Sequence, residues 1–239
     1  MWLKLLLSKM TKMNNKKIIG QGARILLLMA LFFWGCNSNY SSKKTGYYKI
    51  DLPAHQYKIF NEPNFPYRFE YPVYANIIQD SSYFDSKPEN DYWINVDFPN
   101  FDAKIFLSYK IIGGKTTFKI KQPDGTYKDS IGINRFDKMV NDAFNLTNKN
   151  DVIATSINDS LMLTPNHITG VFFKVAGNAA TAKQFFLTDT TSHFIRGALY
   201  FNTTPNADSL KPVQDFLQKD IEHLINTFFW KGSNTSLDH

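Results

Sequence analysis

The sequence predicts an α+β fold: an antiparallel sheet with a middle helix and a C-terminal helix packed on it. Three observations carry this. Aromatic residues make up 15% of the 239 residues, with 21 Phe and 12 Tyr, a composition that suits half-buried strands. Apolar residues alternate with polar ones in several short segments. Two other segments carry apolar residues at helical spacing. With 43% hydrophobic and 20% charged residues, general disorder is excluded.

Residues 1–35 read as an export signal. A basic, polar region ends at Arg24, and an apolar run, Ile25 to Trp34, leads into Gly35 and Cys36. That run is too short to span a bilayer as a stable helix but suits a signal-peptide core. Met10 or Met13 is an alternative start. Gly35–Cys36 resembles a bacterial lipobox, although Phe33 and Trp34 are bulky for one. That resemblance implies a diacylated Cys36 (palmitate or similar chains) as the mature N-terminus and the lipidation site. Residues 36–46, rich in Ser, Asn and Lys, read as a flexible tether.

A single domain is expected over residues 47–232. Pro53, Pro63, Pro66 and Pro72 punctuate an aromatic stretch (Phe60, Phe65, Tyr67, Phe69, Tyr71, Tyr74), which reads as extended arms and edge strands. Packing of this arm on the sheet is favoured over an exposed recognition patch. Asp80 to Asp91 reads as a loop. Tyr92–Phe98 and Ala103–Ile112 are strands joined as an antiparallel hairpin. Gly113 to Asn134 reads as an inserted hairpin with a Pro123-Asp124-Gly125 turn. Phe136, Met139, Val140, Ala143 and Phe144 form one helical stripe. Ile168–Ala176, Lys183–Thr188 and His193–Phe201 are strands of a meander. Asp208 is the expected N-cap of the last helix, with Pro212 in its first turn. Its stripe is Val213, Phe216, Leu217, Ile221, Leu224, Ile225 and Phe228. Residues 233–239 read as a disordered tail. The element order looks like that of the Mog1/PsbP-type α/β/α sandwich.

The net charge is +6, yet this does not signal a nucleic-acid partner. Residues 1–35 hold six of the 27 basic residues (Lys4, Lys9, Lys12, Lys16, Lys17, Arg24) and no acid. The remainder balances, so no global field attracts nucleic acid.

Chemistry is sparse. Cys36 is the only Cys, so a disulfide scaffold and a CxxC site are excluded. No phosphate-binding glycine loop, nucleophile elbow, HExxH or EF-hand motif is present. The His residues lack local metal-ligand spacing. No catalytic residue, cofactor or metal is therefore expected. The densest polar constellation is Gly177, Asn178, Gln184, Asp189, His193 and Arg196, a candidate interaction or structural motif. One reading makes Asp189 and His193 an acid–base pair beside Ser192. The favoured reading makes Asp189 and Thr190 a turn cap with His193 starting the next strand, since no oxyanion-hole signature accompanies them. Gly177–Asn178 suggests a tight turn with positive φ.

Several ordered blocks carry a resemblance. They are Tyr47 to Pro53, Phe65 to Phe69, Trp93 to Pro99, Ala103 to Tyr109, Phe172 to Ala180, Gln184 to Asp189, His193 to Phe201 and Pro205 to Ser209. Together they resemble the gliding motility lipoprotein GldD family of Bacteroidota. The Gly113–Asn134 segment is longer than that family's pattern suggests. The resemblance implies a cell-envelope lipoprotein anchored to a membrane, with no known enzymatic activity; separately, the lack of an acidic run after Cys36 favours a position facing the periplasm. The resemblance also implies protein partners in the gliding and type IX secretion apparatus. A binding module for a small ligand or lipid, with an aromatic-lined pocket, is the alternative.

Overall fold

A computed structural model describes residues 50–79, 88–150 and 152–232. The described residues belong to one compact unit, which begins at Lys49. In chain order its elements are β1 (Tyr57–Phe60), β2 (Tyr67–Pro72), β3 (Asn76–Gln79), β4 (Ile94–Phe98), β5 (Ala103–Ile111), β6 (Lys115–Lys121), β7 (Tyr127–Ile133), α1 (Phe136–Asn148), β8 (Ala154–Leu163), β9 (Thr169–Gly177), β10 (Lys183–Thr188), β11 (His193–Phe201), α2 (Ala207–Thr227) and β12 (Phe229–Trp230). Cys36, the leader, the tether, the tail and most of the expected loop at Asp80–Asp91 lie outside the described residues.

Seven strands form one antiparallel sheet in the order β3-β4-β5-β11-β10-β9-β8. The expected β4–β5 hairpin and β9–β10–β11 meander are joined by pairing of β5 with β11, Ile105 opposite Leu199. Alternation gives the sheet two buried faces. Val96, Ile105, Leu107, Phe185, Ile195 and Leu199 pack with the Val213–Phe228 stripe in the larger core. Val171, Phe173, Phe186 and Phe194 pack with Met139 and Ala143 of α1 in a smaller one. The fold is α+β, with a helix on each sheet face.

The larger core has an additional lid. β1, β2 and β12 make a separate three-stranded sheet. Its rings Phe60, Tyr67, Phe69 and Trp230 are buried, as is Phe228, which immediately precedes β12. Tyr67 stacks at 5.6 Å from Phe228, and Phe69 lies parallel to the same ring at 6.1 Å. The aromatic run at Phe60–Tyr74 is thus arm packing. β6 and β7 pair only with each other, as the expected inserted hairpin.

Three local expectations are corrected. The N-cap of α2 is Asn206, whose side chain accepts from Ser209 N at 3.1 Å, while Asp208 sits in the first turn. Pro212 lies inside the helix, in its second turn at 3.6 residues per turn, where it leaves one carbonyl without its helical donor. Phe228 has left the helix and is extended, yet stays fully buried. β3 and β8 are strands that periodicity does not show. Both are sheet edges with mostly exposed side chains, so their sequences lack an apolar alternation.

Gly170 marks the tightest backbone approach in the sheet. A Cβ there would stand 2.2 Å from Phe186 O of β10. That atom is backbone and cannot rotate away, so Gly170→Ala is expected to destabilise by about 2–3 kcal/mol. A urea midpoint unchanged from wild type would contradict the register described.

Candidate functional site

The expected constellation separates into three places. Gly177 ends β9 with φ +96, and a Cβ there would meet Thr155 N at 2.8 Å. Asn178 Oδ1 accepts from Ala207 N at 2.9 Å. The pair therefore ties the end of β9 to the start of α2.

Gln184 and Arg196 lie on the α1 face of the sheet, on neighbouring strands. Arg196 Nη2 donates to Gln184 Oε1. Thr147 Oγ1 of α1 lies 3.3 Å from the same oxygen, and Gln184 Nε2 donates to Thr181 Oγ1 at 2.9 Å. Asn150 Nδ2 donates to Thr147 O at 2.9 Å. Gln184 and Thr147 are fully buried, and the network satisfies them while fixing α1 to the sheet.

Asp189 and His193 are near each other but do not form an acid–base pair. Asp189 Oδ1 accepts from the backbone N–H of Thr191, Ser192 and His193 at 3.0, 2.8 and 2.8 Å. Thr190 sits at φ +67 in the same turn. Burial pushes the Asp189 carboxyl up, but the three N–H groups outweigh it and hold it below the usual range. The His193 ring turns elsewhere. Its Nδ1 is 2.6 Å from Tyr109 Oη, and its plane stacks on Trp230 at 4.9 Å. Burial lowers its affinity for a proton, although the Asp189 charge raises it.

The most concentrated polar site was missed by sequence reasoning. Asp220 lies within the apolar stripe of α2 and is only 1% exposed. His55 Nδ1 is 2.7 Å from its Oδ1, Tyr57 Oη donates to the same oxygen at 3.0 Å, and Tyr74 Oη donates to Oδ2. All three partners come from the aromatic arm. His55 stacks on Phe216 at 4.4 Å, and Tyr57 stacks on His223 at 3.5 Å. His223 Nε2 in turn lies 2.7 Å from Glu70 Oε2 of β2. Burial, then the Asp220 charge and hydrogen bond, push the Tyr57 hydroxyl up to about 12. Tyr74 is pushed up by burial and by the same carboxylate. These hydroxyls stay protonated donors at physiological pH, and together with His55 they engage both carboxylate oxygens. The signal that could have found the site is an acid in phase with Phe216, Leu217, Ile221 and Leu224.

Beside the arm, Ile59, Phe60, Phe65, Tyr71, Ile77 and Ile94 line a cleft of about 380 Å³, with Glu62 and Gln79 among its walls. Among the described residues, no group of three or more His, Cys, Asp or Glu side chains is arranged to hold a metal ion.

Fold and sites define an α+β domain whose buried polar clusters join structural elements to one another. The family model for the gliding motility lipoprotein GldD matches residues 37–230, and the chain belongs to that family. No curated protein shows significant similarity to it. Among solved structures, it is similar to the cyanobacterial PsbP (CyanoP) of Synechocystis sp. PCC 6803. That match has 9% identity and a TM-score of 0.39, over 75% of this chain and 95% of that one.

Removing the Asp220 carboxylate strands three donors. Asp220→Ala is expected to cost about 2–4 kcal/mol, and Tyr57→Phe about 1 kcal/mol. Equal stability of wild type and D220A in urea would show that the arm is held by apolar packing alone.

Acid should weaken the Tyr109–His193–Trp230 contact. The folded His193 pKa lies below its unfolded value, so the unfolded chain binds more protons between the two. That contribution is complete above about pH 6.5 and is lost as pH falls through the folded value. Unfolding free energy should therefore fall from pH 7.5 to 5.5, and His193→Gln should flatten that fall. An equally steep slope in the variant would assign the effect to other groups.

Proposed function

We propose that this chain is a membrane-anchored lipoprotein that faces the periplasm and serves gliding motility as a non-enzymatic accessory component of the gliding and type IX secretion machinery. Its organisation is a leader over 1–35, a lipidated Cys36 with a tether to residue 46, one α+β domain over 47–232, and a short tail. The observation that carries the reading is the family match, which begins at Asn37, directly after Cys36 and the apolar run before it. Two acyl chains, esterified to a glyceryl group that is thioether-linked to the cysteine, hold a protein on a bilayer durably, at about 0.8 kcal/mol per buried methylene. Confinement to the membrane raises the domain's local concentration at a membrane-bound partner without any new contact.

The polar clusters support a scaffolding role. Asp220, Gln184 and Arg196 direct hydrogen bonds to other segments of the domain, and Asp189 directs its own to the turn it shapes. A general base needs a lone pair aimed at a reacting proton, and both oxygens of Asp220 are engaged by His55, Tyr57 and Tyr74, while Asp189 Oδ1 is engaged by its own turn. The cleft lined by Phe60, Phe65 and Tyr71 favours a second reading, a binding module for a small ligand or lipid, since its volume lies in the range of ligand pockets. A small molecule retained by the purified protein in native mass spectrometry would favour that reading.

Cys36→Ser is the decisive variant. It should abolish incorporation of labelled palmitate, shift the protein out of the membrane fraction and reduce colony spreading. Unchanged spreading with the variant still in membranes would overturn the anchoring mechanism.

A further inference from the structure

The β6–β7 ribbon is the part of the domain that the proposed function does not use. Its base is fixed and its body is bare. Glu89 binds it at the root, accepting from Lys110 of β5, from Thr116 of β6 at 2.8 Å and from Asn134 after β7 at 3.1 Å. These bonds outweigh the effect of burial, and they hold the Glu89 carboxyl below its usual range. The tip is a closed turn. Gly125 adopts φ +85, and Asp124 Oδ1 accepts from Thr126 N and Oγ1 at 2.9 and 2.6 Å. A lone two-stranded ribbon is marginal in water, so a defined root and tip matter.

The two faces of the ribbon differ. On one, the Phe118 ring lies across Gly132, where a Cβ would stand 2.7 Å from it, and Lys138 of α1 lies over the same ring at 5.0 Å. The other face carries Lys115, Thr117, Lys119 and Lys121 on β6, opposite Ile133, Ile131, Asp129 and Tyr127 on β7. Every one of these eight positions is exposed. Tyr127, Ile131 and Ile133 are 64%, 76% and 61% exposed. Three cations against one anion flank this apolar column.

We propose that this face of the β6–β7 ribbon docks on an anionic lipid surface. The inference rests on the anchoring reading above. Isoleucine and tyrosine side chains enter the headgroup boundary, where apolar area is gained and a tyrosine hydroxyl stays wet. Lysine stems lie along the apolar surface while their ammonium groups reach lipid phosphates. The net positive charge of the face complements an anionic leaflet and disfavours a zwitterionic one. The roughly fourteen residues from Cys36 to Ile50 reach at most about 50 Å, against a domain diameter of about 40 Å. The anchor therefore permits this face to meet the bilayer.

The test uses the full lipoprotein purified from membranes. Acylation blocks Cys36, so Ile131→Cys offers one free thiol for an environment-sensitive fluorophore. The labelled protein is reconstituted in phosphatidylglycerol or phosphatidylcholine vesicles, with Ser160→Cys on β8 as the control position. Acrylamide should quench the label at 131 roughly threefold less in phosphatidylglycerol than in phosphatidylcholine. High salt should remove the difference. So should the combined substitution of Lys115, Lys119 and Lys121 by Glu, which leaves a surface ribbon free to fold. The control label should be quenched equally in both. Equal quenching at 131 in both lipids, on protein that floats with the vesicles, overturns the proposal. Protection seen only in native envelope membranes also overturns it, in favour of a protein partner. Protein that fails to float at all refutes the anchoring reading instead.

Discussion

A fully buried carboxylate in the apolar stripe of a helix is the constraint on which this fold turns. The Asp220 carboxyl group is only 1% exposed and needs hydrogen-bond donors, because a buried polar group left without them costs more than a single packing contact returns. The α2 helix offers it none, since its own N–H groups are engaged along the helix. The donors come from His55, Tyr57 and Tyr74, which lie more than 140 residues away in sequence. Once these groups reach Asp220, the arm is docked and β1 and β2 are aligned over the helix. β12 then adds to β2, and the rings of Tyr67, Phe69, Phe228 and Trp230 close over the sheet. A polar bond of modest net value thereby selects one placement of an aromatic surface that apolar packing alone would specify loosely.

Legibility in the sequence followed physical distance along the chain. The stripe from Val213 to Phe228 and the stripe from Phe136 to Phe144 were readable because a helix places its own neighbours on one face. The β4–β5 hairpin and the meander were readable because adjacent strands supply each other's hydrogen bonds. β8 was not, since an edge strand with Thr155, Ser156, Asn158, Asp159 and Ser160 has no buried face to impose alternation. The capping of α2 was misplaced from Asn206 to Asp208. Both residue types cap helices, and only the backbone angle distinguishes them: Asn206 is extended at φ −141. The Asp220 site was legible only in its acid, which stands in phase with the apolar stripe of α2. Its three donors are ordinary residues in a distant segment, and no local spacing links them.

The Asp189–His193 pair illustrates how proximity in sequence can mislead about chemistry. Four residues separate them, and a shared turn brings them close. The same turn aims three backbone N–H groups at the carboxylate, so its charge is spent on shaping the loop. The imidazole is then drawn to the opposite side, between Tyr109 and Trp230. A triad-like reading needs the carboxylate to orient the imidazole, and here each is oriented by something else. Catalysis requires that the two side chains face each other, and the turn that brings these residues together turns them apart.

A similar economy governs which surfaces are left over. The two sheet faces are committed, one to α1 through Met139, Ala143 and the Gln184 network, the other to α2 and the aromatic lid. Large apolar side chains that remain exposed are concentrated at strand edges and on the β6–β7 ribbon, including Leu161, Leu163, Ile131 and Ile133. Singly exposed apolar residues are ordinary on any protein. A column of them on one face of a ribbon, flanked by lysines and fixed at its root by Glu89, is not. The half-buried Glu89 carboxylate takes compensating donors, and two of them come from the ends of the ribbon. A half-buried charge thereby holds a bare, amphipathic ribbon in a defined place, an arrangement that folding of the core alone would not demand.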